Sequence, residues 1–190
     1  MKAKPAPSSY RLLGHRFFFA IMPTDAERAR ITIHARQRAQ GGRCVRPEHL
    51  HITLAILDDV AAFDSPFTDR LMAVGAAVRG APCDILLDRE RATTRSTALC
   101  PVGRQPGLRA LHGELAMAMK RAGIDQREGW AFSPHMTLFY RDGALATHDL
   151  DQPFGWTARE FVLIHSYLGL TRHDIVARWP LRGGDQLPLL

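Results

Sequence analysis

Lysine is nearly missing from this chain: Lys2, Lys4 and Lys120 are the whole supply, so 22 of its 25 basic residues are arginine. Cysteine is scarce too. Cys44, Cys83 and Cys100 are odd in number and show no Cys-x-x-Cys spacing, which argues against a disulfide framework and a cysteine zinc site and fits the reducing cytoplasm. No stretch approaches the ~20 apolar residues of a membrane span. The N-terminus carries two lysines but no continuous apolar segment before Phe17, so it does not read as a secretory signal. Residues 1–14 are read as a flexible tail, and 15–185 as one bilobal domain. A chain of 190 residues is long enough for that without a covalent staple. The net charge of +6 is carried by scattered arginines, whose planar forks suit phosphate. That balance points weakly to an anionic partner.

What the chain does have is one short pattern written twice. His49-Leu50-His51-Ile52-Thr53-Leu54 and Pro134-His135-Met136-Thr137-Leu138 each hold His-x-Thr-Leu inside an apolar run, 84 positions apart. On a strand, side chains alternate faces, so His51 and Thr53 share one face while Leu50, Ile52, Leu54 and Ile56 turn to a core. His135 and Thr137 repeat this, backed by Pro134, Met136 and Leu138. Side by side, the two strands bring two imidazoles and two hydroxyls to one cleft. Such a set can split a phosphodiester with one base, one acid and donors for the phosphoryl oxygens. A lone His-x-Thr would more often be structural, but the same order in the same context twice favours a catalytic pair.

Periodicity and punctuation outline the rest. Arg16–Met22 reads as a strand, and Thr24 or Asp25 caps a helix over 26–40 that ends at Gly41-Gly42. A second helix opens at Ser65-Pro66 and runs to about Arg79. The runs 84–91 and 97–102 form a strand pair, 105–121 a helix ended by Gly123, and 132–141 the second histidine strand. Two more strands, 160–170 and 174–181, finish the chain. The order strand-helix-strand-helix, then again, predicts an internally duplicated α+β fold: two pseudo-symmetric lobes of antiparallel sheet plus helices around a central groove.

The segments RFFFAIMP, HLHITLAILDD and SPHMTLFYRDG resemble the two-histidine (2H) phosphoesterases, in particular the bacterial RNA 2',3'-cyclic phosphodiesterase and 2'-5' RNA ligase family. The likeness runs from about Arg16 to Leu181. It implies metal-independent hydrolysis of 2',3'-cyclic phosphate ends of RNA or nucleotides to 2'-phosphomonoesters, a role in RNA processing, with no cofactor. His51 and His135 then become general acid and base in that order, and Thr53 and Thr137 the phosphate-binding hydroxyls. The family often carries Arg soon after its second motif. Here Tyr140 comes first, and strand parity favours Arg141 as the phosphate contact unless a bulge intervenes. Phe19 offers a ring for stacking a base.

For the remaining histidines a structural role is the better reading. His49 is assigned to the rim, His165 and His173 lie in the late strands without a partner pattern, and His15, His34, His112 and His148 fall in tail, helix or loop. None shows ligand spacing, so no metal is expected. The partner is RNA or a nucleotide with a 2',3'-cyclic phosphate end, met by a cytoplasmic monomer that touches no membrane. Competing readings are a 2'-5' RNA ligase, an esterase for another cyclic or 2'-5'-linked nucleotide, and a non-catalytic RNA or nucleotide binder. The last does not need two titrating groups.

Overall fold

The computed structural model describes residues 13–143 and 146–183. In chain order the elements are β1 (Gly14–Ile21), α1 (Asp25–Ala39), β2 (Arg43–Cys44), a single 3-10 turn (Pro47–His49), β3 (Ile52–Ile56), α2 (Ser65–Ala77), β4 (Cys83–Ala92), β5 (Ser96–Cys100), α3 (Pro106–Arg121), β6 (Met136–Tyr140), β7 (His148–Ala158), β8 (Glu160–Leu168) and β9 (Arg172–Pro180). Local chemistry explains most boundaries. The Thr24 side chain accepts from the Glu27 amide at the start of α1, Asp25 and Glu27 sit in its positive first turn, and Gln40 closes it in the left-handed conformation. Strand β7 and the short β2 escaped the sequence reading, because His148–Asp151 is as polar as a loop.

The fold is α+β with two antiparallel sheets, ordered β3-β1-β8-β9 and β2-β6-β5-β4-β7. Each sheet holds one histidine strand, as expected of a bilobal architecture. The tandem order is corrected, however: the first sheet is assembled from both ends of the chain, and the second from its middle. What is repeated is smaller. Strands β1 and β3 are antiparallel neighbours joined through α1, and β5 and β6 are antiparallel neighbours joined through α3.

The helices do not stay with their own sheets. Helix α1 connects two strands of the first sheet yet packs on β2, β6 and β7 of the second, while α3 connects strands of the second and touches β3 of the first. One hydrophobic cluster therefore runs through both lobes, from Phe17, Phe19 and Ile21 on β1 to Leu99, Met136 and Leu138. Burial of this kind is worth roughly 25 cal/mol per Å² of apolar area. At Gly75 of α2 an added Cβ would lie 2.4 Å from the Trp179 ring, so only glycine lets that helix settle on β9.

The tail boundary also moves. The Leu13 amide bonds the Leu168 carbonyl (2.8 Å) and Gly14 pairs with Leu168, so residues 13 and 14 belong to the sheet; residues 1–12, and the domain's far end at 184–185, lie outside the described residues.

Candidate active site

Both histidines sit one residue ahead of their strands, His51 before β3 and His135 before β6. Each is fixed the same way. The His51 Nδ1 lies 2.6 Å from the His49 carbonyl and the His135 Nδ1 lies 2.8 Å from the Ser133 carbonyl, two residues back in each case. A carbonyl only accepts, so Nδ1 must carry the proton and Nε2 is the free atom on both rings.

The leucine of each motif is an extra residue. Phe19 pairs with Ala55 and Ala20 with Thr53, leaving Leu54 unopposed; Thr97 pairs with Phe139 and Ala98 with Thr137, leaving Leu138 unopposed. These are two β-bulges at equivalent places, and a bulge reverses strand parity beyond it. Ile56 therefore joins Thr53, and Tyr140 joins Thr137, on the open face. Each bulged carbonyl is held from outside: Leu54 by His112 Nδ1 on α3 (2.9 Å), Leu138 by the Val45 amide (2.8 Å).

Two expectations fail for these reasons. Arg141, assigned to phosphate, does not line the cleft; its guanidinium reaches Gln40 Oε1 at 3.4 Å, and Tyr140 takes the cleft position. Phe19 is 0% exposed, packed against Phe161 and Trp179, so it offers no face to a base. Its neighbour Phe18 lines the cleft instead. Three consecutive phenylalanines had hidden which parity faced outward.

The cleft has a volume of about 610 Å³ and takes in His51, Thr53, His135 and Thr137 together. Arg16, Arg43 and Arg46 also line it, and no carboxylate does among the described residues. Arg43 covers one face of the Tyr140 ring at 4.8 Å, leaving a tyrosine that is 43% exposed. Arg16 is oriented by a two-pronged bond to Asp59 (2.7 Å each), which also raises its pKa, and Asp59 is shared with Arg127 from the loop before β6.

The sequence puts His49 at the rim and gives His173 no partner. Both assignments are corrected. The His49 ring is buried in the 3-10 turn and stacks on His173 at 4.1 Å, and His173 lies 6.0 Å from His51 across its edge. Burial, then the nearby His135 and His49 charges, push His51 down to about 4 against the pull of its backbone bond. Burial, then the nearby His49, His51 and Arg16 charges, push His173 down to about 3. Its Nδ1 is buried without a hydrogen-bond partner. Elsewhere His15 is no tail residue: it sits buried on β1 with Nδ1 2.8 Å from His165 Nε2. His34 on α1 and Arg38 hold the fully buried Glu90 of β4 at 2.9 Å each, and His148 starts β7. Among the described residues no group of three or more His, Cys, Asp or Glu is placed to hold a metal ion. Nor, among the described residues, is any helix long and apolar enough to cross a membrane.

Comparison with known proteins gives three findings. Residues 23–169 match the profile of the 2'-5' RNA ligase superfamily. The chain is 33% identical over 175 residues to the RNA 2',3'-cyclic phosphodiesterase of Escherichia coli strain K12, covering 87% of this chain and 96% of that one. Its fold is similar to the crystal structures of E. coli LigT complexed with 3'-AMP (TM-score 0.74, 27% identity, 88% and 98% covered) and in apo form (TM-score 0.72, 28% identity, 89% and 98% covered).

Proposed function

Because the chain belongs to the 2'-5' RNA ligase superfamily of two-histidine phosphoesterases, we propose that it hydrolyses 2',3'-cyclic phosphate ends of RNA or nucleotides to 2'-phosphomonoesters, without a metal. The observation that carries this reading is the pair of Nδ1 anchors. Two rings locked through opposite copies of one motif present two free Nε2 atoms, each beside a threonine hydroxyl, in a cleft lined by three arginines.

The chemistry balances with these groups alone. His135, the more open of the two, takes a proton from water as its oxygen attacks phosphorus. The bond from phosphorus to O3' breaks, and His51 gives that oxygen its proton, so the phosphate stays on O2'. Thr53, Thr137 and Arg16 donate to the phosphoryl oxygens as charge shifts among them. Half-buried and crowded by other imidazoles, His51 by itself holds a proton poorly. An anionic phosphate between the rings restores that proton, and a desolvated imidazolium is then a strong acid aimed at the leaving oxygen. Tyr140, backed by Arg43, supplies the stacking face that Phe19 does not. The choice of O2' over O3' in the product rests on the family resemblance. Three free cysteines, two of them buried, fit work in the reducing cytoplasm.

Purified protein incubated with 2',3'-cyclic AMP, with and without EDTA, tests the reading, with phosphorus NMR identifying the product. We expect turnover indifferent to chelator and a 2'-phosphate. Activity abolished by EDTA and restored by a divalent ion would sink the mechanism, and a dominant 3'-phosphate would sink the product assignment.

A further inference from the structure

A second groove opens beside the catalytic cleft, on the far side of the His135 loop. It holds about 300 Å³ and is lined by Arg89, Arg91, Arg104 and Arg109, with Phe132 and Ser133 among its walls. Ser133 is the residue whose carbonyl anchors His135, so the two recesses share one wall.

Register shows that they also share a floor. Thr137 pairs with Ala98, and Ala98 with Arg91; Cys100 pairs with Arg89. Directly paired residues project from the same face of a sheet, so the face that presents Thr137 continues over Ala98 and Cys100 to Arg91 and Arg89. Two strand spacings make this a path of ~10 Å. The residues in the middle, Ala98 and Cys100, are small and buried.

The far wall is the start of α3. Arg104 precedes the helix, Arg109 lies in its first turns, and the N-cap Gln105 makes no capping bond because its Oε1 accepts from the Leu86 amide. Nor does the first turn of α3 carry an acidic residue, unlike that of α1 with Asp25 and Glu27. The positive end of the helix is thus left to add to the arginines. Arg89 is paired with Asp149 at 2.6 Å, but Arg91, Arg104 and Arg109 form no ion pair among the described residues. Three uncompensated guanidinium groups and a bare helix end, converging on a trough next to a phosphoryl-transfer site, are complementary to a chain of phosphates.

Resting on the function proposed above, we propose that this groove binds the sugar–phosphate backbone of the RNA strand that leads into the cyclic end, so that the protein acts on RNA termini in preference to free cyclic nucleotides. The guanidinium groups read phosphate and no base, making the preference one for length and not for sequence.

The test is the triple variant Arg91→Gln, Arg104→Gln, Arg109→Gln, compared with wild type on 2',3'-cyclic AMP and on a ten-nucleotide RNA ending in 2',3'-cyclic phosphate. For wild type we expect kcat/KM to favour the oligonucleotide at least tenfold; for the variant we expect most of that advantage gone and the mononucleotide rate kept within twofold. Binding of a 3'-phosphorylated RNA of the same length, followed by fluorescence anisotropy, should lose salt dependence, the log–log slope becoming shallower by about 1 to 2 at ~0.7 per released contact. Equal losses on both substrates, or an unchanged slope, overturn the groove. If the wild type hydrolyses neither substrate, the proposed function fails, and the anisotropy arm still decides the groove alone.

Discussion

The two histidine motifs are built alike and housed differently. Each ring is tied by Nδ1 to the carbonyl two residues back, and each is followed by a threonine and a bulged leucine. Around His51, however, the protein closes in. Phe18 lies 4.8 Å from its ring, His173 6.0 Å, and His49 stacks on His173 behind them. Around His135 it opens, toward Tyr140 and Arg43 on one side and the arginine groove on the other. Local sequence copies the reacting atoms; the surroundings, drawn from β1 and β9 in one lobe and from β4 and α3 in the other, make them unequal. An acid–base pair needs that inequality, since one imidazole must start charged and its partner neutral.

The largest effects should come from breaking the shared part. His51→Ala or His135→Ala should each lower kcat by roughly 100-fold or more while the protein stays folded, the usual scale of a general acid or base. Near-normal turnover from either variant removes that histidine from the mechanism. Thr53→Val and Thr137→Val should cost about tenfold each, one donor to charge being worth ~1.4 kcal/mol or more. A much larger loss from one threonine alone would show that the hydroxyls are as unequal as the rings.

The unequal part has its own signature in protons. With His51 pushed down to about 4 by its surroundings, its charged form is scarce at pH 7. If phosphate binding recharges it, binding takes up close to one proton. Affinity for adenosine 3'-phosphate should then weaken as pH rises from about 4 toward the pKa of the complex and level off above it. Calorimetry at pH 7 in two buffers of different ionisation heat measures the uptake. Absence of any uptake would mean that His51 stays neutral in the complex and serves as the base, reversing the two roles.

How far these features were legible in the sequence follows from what fixes each of them. Helix ends were readable because Thr24, Gly123 and the Ser65-Pro66 pair act within one turn of chain. The doubled His-x-Thr was readable because strand alternation spans two residues. Tyr140 was not, since the bulge at Leu138 is set by pairing with β5, and it turns the strand's later residues over. His173 was invisible for a similar reason: it lies 122 positions from His51, and only the curl of the first sheet brings them together. Sheet membership failed most plainly. The repeat of strand and helix is real, but β8 and β9 return to join β1, which no local pattern records.

Two substitutions, one at Tyr140 and one at Phe19, separate cleft from core. Tyr140→Ala should raise KM about 5- to 150-fold, the value of one base–aromatic stack at ~1–3 kcal/mol, and leave stability nearly unchanged. Phe19→Ala should do the reverse, destabilising by about 3–5 kcal/mol through a cavity while sparing KM in the folded fraction. Matching KM changes in the two would mean that the ring facing the substrate has been misplaced.

The smallest effect concerns stability, and it tests whether the crowding is confined to the first motif. His173 has a folded pKa near 3, against about 6.5 for an ordinary unfolded histidine. A depressed folded pKa means that the unfolded chain binds the proton first. The folded state keeps its full advantage above pH 6.5 and loses it progressively as pH falls toward 3. At pH 5 the loss from this one group reaches at most about 2 kcal/mol, 1.36 kcal/mol for each of the 1.5 pH units below 6.5. His173→Phe removes the titration and the partnerless Nδ1 together, in a cleft with room for the larger ring. Urea midpoints for wild type and variant should therefore be close at pH 8 and diverge at pH 5, with the variant the more stable. Parallel pH curves for His173→Phe and wild type would show that protonating His173 costs the fold nothing, and that the two motifs differ in shape but not in charge.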